Sequence, residues 1–64
     1  MQTFKLKKTK IDGISRYMWM IYYRGLFKYK PFSDNYFFST ENAMNYIYSK
    51  IDNTNCKIRI EDGD

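Results

Sequence analysis

The chain has 64 residues, with 11 Lys or Arg against 7 Asp or Glu, one Cys and no His, for a formal charge of +4. This is one domain at most, able to bury only roughly 60% of the surface its unfolded chain exposes. The composition excludes an intrachain disulfide, a zinc site of the Cys/His type and any catalytic scheme that needs an imidazole.

Phe4-Lys5-Leu6-Lys7 alternates apolar and charged residues, which predicts a first strand from Thr3 to Ile11. Asp12-Gly13 is a turn signal. Tyr17 to Tyr23 is aromatic and apolar enough for a second strand, with both faces apolar. Arg24-Gly25 offers a two-residue turn, and Leu26 to Lys30 returns as a third strand that Pro31 ends. Ser33-Asp34-Asn35 is a loop, and Tyr36-Phe37-Phe38 either adds a short strand or lids the core. Ser39 is a good N-cap for the one convincing helix, whose Ala43, Ile47 and Ile51 fall on one stripe. Asp52-Asn53-Thr54-Asn55 stops it, and Cys56 to Ile60 alternates again as a last strand. The expected fold is a single α+β domain over residues 1–60, in the order β-β-β-α-β. It has a small antiparallel sheet of three to four strands with the helix on one face. Residues 61–64 form an acidic tail that frays.

With 20% aromatic residues and only two Leu, the core is expected to be aromatic-rich rather than Leu-rich. A two-residue turn at Arg24-Gly25 sets Tyr23 opposite Leu26, Met20 opposite Tyr29 and Trp19 opposite Lys30. One face then collects Met18, Met20, Tyr22, Phe27 and Tyr29. The other collects Trp19, Ile21, Tyr23, Leu26, Lys28 and Lys30. Only the first is free of charge, so the helix is assigned to it. The second is left exposed, with Lys5, Lys7 and Thr9 of the first strand extending it. A shift of one residue would invert this, burying Trp19 and Ile21.

Charge is uneven along the chain. Residues 1–30 hold eight cations against Asp12 alone, whereas residues 31–64 hold Lys50, Lys57 and Arg59 against six carboxylates. A basic face interleaved with aromatics suits a polyanion, DNA foremost, because cations displace counterions from phosphates and rings stack on bases or sugars. The candidate contacts are Lys5, Lys7, Arg16, Trp19, Tyr23, Arg24, Lys28 and Lys30. The competing reading is a small inhibitor or modulator that binds a host or defence protein through the same aromatic and basic patch. An enzyme is not expected, because the carboxylates sit at turns, caps and the tail, and Cys56 reads as a small buried apolar residue. No cofactor or metal is expected. The longest apolar run, Met18 to Tyr23, is too short to span a membrane, and Met1 to Lys5 lacks a signal-peptide core. A cytoplasmic protein without a membrane partner is expected, and a homodimer is compatible with exposed sheet edges.

Trp19, Tyr23-Arg24-Gly25-Leu26-Phe27-Lys28 and Phe38-Ser39-Thr40-Glu41-Asn42-Ala43 together form a pattern. It resembles the three-stranded-sheet-plus-helix DNA-binding domains of phage integrases and plant ethylene-response factors, over about residues 16–48. The resemblance implies a sheet that enters the major groove, with Arg16, Trp19, Arg24, Lys28 and Lys30 as contacts. Two features depart from the family. Asn35-Tyr36-Phe37 stands where a Gly is usual, and the strand at Cys56–Ile60 and the tail are additions. A chain of this size without a catalytic domain looks like a small phage or plasmid accessory protein.

Overall fold

A computed structural model describes residues 2–11, 13 and 16–61. Its elements are β1 (Gln2–Lys10), β2 (Tyr17–Arg24), β3 (Tyr29–Pro31), α1 (Thr40–Lys50), a 3-10 turn (Asn53–Asn55) and β4 (Cys56–Glu61). They form one four-stranded sheet in the order β3-β2-β1-β4, with α1 on one face. This is the expected α+β fold with one refinement: β4 pairs with β1 in parallel, so the sheet is mixed. Asp12 and residues 62–64 lie outside the described residues. Glu61, expected in the tail, is the last residue of β4. Among the described residues no helix is long and apolar enough to cross a membrane.

β1 sets the two faces because it alternates cleanly. Phe4 and Leu6 are fully buried, and Lys5 and Lys7 point the other way. The antiparallel register pairs Phe4 with Tyr23, Leu6 with Ile21 and Lys8 with Trp19. The helix covers this side with Ala43 and Ile47, both fully buried, and Trp19, Tyr23, Met44, Tyr46, Ile51 and Ile58 pack around the cluster. The helix therefore lies on the face of Trp19, Ile21 and Tyr23, opposite to the assignment made from charge. Trp19 and Tyr23 are half-buried core residues, not members of an exposed face.

The β2–β3 hairpin also differs from expectation. Its pairs are Arg24 with Tyr29 and Tyr23 with Lys30, and the Gly25 N–H donates to the Lys28 carbonyl at 2.9 Å. The two residues at the tip are thus Leu26 and Phe27, not Arg24 and Gly25. Gly25 is needed for room: a Cβ there would sit 2.8 Å from the Lys28 carbonyl oxygen. Gly13, by contrast, has φ +82°, where a side chain is strained. Pro31 is tolerated as the last residue of β3 because β3 is an edge strand.

Beyond Pro31 the chain keeps to the β2 edge. The Phe32 N–H donates to the Ile21 carbonyl at 2.9 Å, and Trp19 and Phe37 exchange two backbone hydrogen bonds of 2.8 Å. Tyr36-Phe37-Phe38 thus contributes a single bridge. Phe32 sits edge-on to Phe4 at 4.9 Å and to Tyr46 of the helix at 6.2 Å, which ties β1, the edge and α1 together. The expected N-cap is present, with the Ser39 hydroxyl accepting the Asn42 N–H at 3.1 Å. Asp52 caps the next turn, accepting the Thr54 N–H and hydroxyl at 3.0 Å each.

A 64-residue domain is stable by roughly 3–10 kcal/mol. Ile21→Ala should cost about 2–5 kcal/mol in urea unfolding, whereas Lys7→Ala, on the other face, should stay within about 0.5 kcal/mol. Equal losses would contradict the helix placement. The backbone hydrogen bond from Thr54, then that from its hydroxyl, holds the Asp52 carboxyl below its ordinary value of 3.8. This contribution is fully present above the unfolded pKa and is lost as pH falls through the lower folded one. Thermal melts between about pH 5 and pH 2 should therefore show a shallower acid-side loss for Asp52→Asn than for the natural chain.

Candidate nucleic-acid interface

The sheet face that α1 leaves open is built by alternation. β1 contributes Thr3, Lys5, Lys7 and Thr9, β2 contributes Met20, Tyr22 and Arg24, β3 contributes Tyr29, and β4 contributes Lys57, Arg59 and Glu61. The register aligns Arg59, Lys5, Tyr22 and Pro31 in one row across all four strands, with Glu61, Lys7 and Met20 in the next. Met18, although buried, also belongs to this side and stands outside the core cluster. Among the described residues the face carries five cations and a single carboxylate.

Its centre is a shallow cavity of about 210 Å³ lined by Lys5, Tyr29, Arg59, Ile60 and Glu61. The Lys5 ammonium lies 4.4 Å from the centre of the Tyr29 ring and 3.5 Å from a Glu61 carboxylate oxygen. That ion pair is partly exposed, so it is worth only about 0–1 kcal/mol and is readily displaced by a competing anion. The Tyr29 hydroxyl is buried without a hydrogen-bond partner, which costs about 1–3 kcal/mol unless something accepts its proton. Lys5, Arg59 and Tyr29 line the same cavity, and two cations with a tyrosine are suited to a phosphate group.

Of the residues proposed from sequence, Lys5, Lys7 and Arg24 are on this face. Trp19 and Tyr23 are not, because their rings pack on the core beneath α1. Lys30 shares the covered side with Tyr23, and its aliphatic chain passes Gly25 at the sheet edge. Lys28 is exposed beside the hairpin tip. Arg16 is exposed before β2, its guanidinium 5.1 Å from the Phe38 ring centre and away from the Lys5 cavity. Lys57, Arg59, Tyr22 and Tyr29 were missed as site residues. The alternation Lys57-Ile58-Arg59-Ile60 signalled a strand with a basic side, but only the parallel pairing with β1 places that side next to Lys5.

Comparison with protein-family models, with curated proteins and with solved structures finds no match to this chain. The chain's own geometry therefore carries the functional assignment.

Tyr29→Phe removes a hydroxyl that bonds to nothing among the described residues. Urea unfolding should show the variant equal to the natural chain or more stable by up to about 1 kcal/mol. A loss of more than about 1 kcal/mol would mean that the hydroxyl is already satisfied.

Proposed function

We propose that this chain is a non-catalytic DNA-binding module that takes the phosphate backbone on its open sheet face. The observation that carries this reading is the convergence of Lys5, Lys7, Arg24, Lys57 and Arg59 from three strands around Tyr22 and Tyr29. Two of these cations come from the half of the sequence that is acidic overall, so folding concentrates positive charge on this face. The Lys5–Arg59–Tyr29 cavity seats one phosphate, with Glu61 as the group it displaces. The tyrosine rings offer stacking surface to sugars or bases.

Width bears on how the face meets a duplex. Four strands about 4.8 Å apart span about 14 Å between the outer axes. The major groove is about 12 Å wide and admits a helix or a two-stranded ribbon. The face therefore lies across phosphates rather than dropping flat into the groove, a mode different from the one the family resemblance implies. The protein-inhibitor reading has less to stand on, because Trp19, its best interface anchor, is engaged by the core.

Fluorescence anisotropy of a labelled duplex across a salt series tests the proposal. If most of the five cations meet phosphates, log affinity should fall with log salt with a slope of about −4. Lys7→Gln with Arg59→Gln should reduce that slope by about 2. Lys10→Gln with Lys50→Gln makes the same change in net charge away from the open face and should leave the slope nearly unchanged. Absence of binding at low salt, or equal effects of the two pairs, would overturn the assignment.

A further inference from the structure

We infer that Leu26 and Phe27 form an apolar wedge that enters between stacked base pairs of DNA held on the open face. The inference rests on the DNA-binding reading and adds to it a site of contact with the bases. Leu26 is 86% exposed and Phe27 93%, the two barest large apolar side chains among the described residues. They occupy the two tip positions of a hairpin, where turn chemistry favours Asn, Asp or Gly. No non-glycine residue among those described has positive φ, so the tip is built without the usual hairpin-turn conformation. A local rule broken this openly, with no packing gained in return, marks a position kept for contact with something else.

The tip is also held in place. The hydrogen bond from Gly25 to Lys28 closes its base, and the absent Cβ at Gly25 lets the Lys28 carbonyl approach. Arg24, Lys28 and Lys30, all exposed, surround it. Arg24 and its partner Tyr29 belong to the open face, so the tip continues directly from the phosphate-binding surface. The two tip side chains project beyond a sheet that is itself too wide to enter a groove. Apolar side chains of this kind, Leu and Phe among them, unstack base steps and kink the duplex when they are inserted from the minor groove.

An anionic membrane is the other polyanion that such a tip could meet. A single myristoyl chain gives only marginal, reversible membrane binding, and one Leu with one Phe buries less hydrocarbon than that. Intercalation requires only that the two side chains act on DNA already held by the five cations, which favours the wedge.

The test uses duplexes with 2-aminopurine at successive positions, together with anisotropy, on the natural chain and on Leu26→Ser/Phe27→Ser. Both side chains are solvent-exposed, so the variant should fold, and its melting temperature checks this. The natural chain should raise 2-aminopurine fluorescence at one step. The variant should lose that rise and bind about tenfold more weakly, the worth of roughly one stacking contact, with an unchanged salt slope because no cation is removed. A variant that unstacks and binds as the natural chain does would overturn the wedge while leaving the phosphate-binding reading intact. Absence of DNA binding by the natural chain would remove both. If the substitutions abolish co-sedimentation with phosphatidylserine vesicles but leave DNA binding intact, the tip is a membrane contact and the wedge is wrong.

Discussion

The contact of Ala43 and Ile47 with Phe4, Leu6 and Ile21 governs the rest of this molecule. A sheet of four strands has two faces, and a helix of 11 residues can cover only one of them. Whichever face it covers becomes the only core that so short a chain can build. The other face has to be compatible with solvent or with a partner. β1 satisfies both demands at once, with Phe4 and Leu6 on one side and Lys5 and Lys7 on the other. β2 satisfies neither by itself, since both of its faces are apolar, and so it follows β1.

The aromatic seam along the β2 edge makes that choice firm. Phe32 meets Phe4 and Tyr46, and Phe37 meets Tyr46, so the segment between β3 and α1 is fixed to the sheet before the helix begins. Its backbone is registered to Trp19 and Ile21. The helix thereby starts on the side of Trp19, and Ser39 caps it there. The connection then crosses to the opposite edge, where β4 pairs with β1 in parallel and brings Lys57 and Arg59 beside Thr3 and Lys5. The basic face is thus a consequence of the crossover that the helix makes.

Most of the elements were legible because each has a local cause. The alternation at Phe4–Lys7, the cap at Ser39, the stripe of Ala43 and Ile47 and the alternation at Cys56–Ile60 all act within a few residues. The reading of the faces failed at Lys28 and Lys30. Their charge suggested an exposed face, but Lys28 is beside the hairpin tip, and Lys30 lies on an edge strand where it reaches solvent from the covered side. Charge on an edge says little about a central strand. Any pairing of β1 with β2 that leaves an even number of loop residues, as the observed one does between Lys10 and Tyr17, puts Phe4 and Leu6 with Trp19 and Ile21.

The sequence by itself determined the α+β class, the order of elements, the capped helix and the basic character of β1, whereas the rings expected in the core mostly pack around a buried centre of Phe4, Leu6, Ile21, Ala43 and Ile47. The legible features follow from periodicity, propensity and composition, which depend on neighbours in the chain. Three things were decided only by tertiary structure: the face that the helix covers, the partner of β4, and the hairpin tip at Leu26 and Phe27. The first depends on which apolar surfaces meet across β1 and β2, the second on which edge the crossover reaches. The third depends on the room at Gly25 that lets the Lys28 carbonyl approach. All three join residues distant in sequence or balance nearly equal local alternatives, and packing of the whole chain separates them.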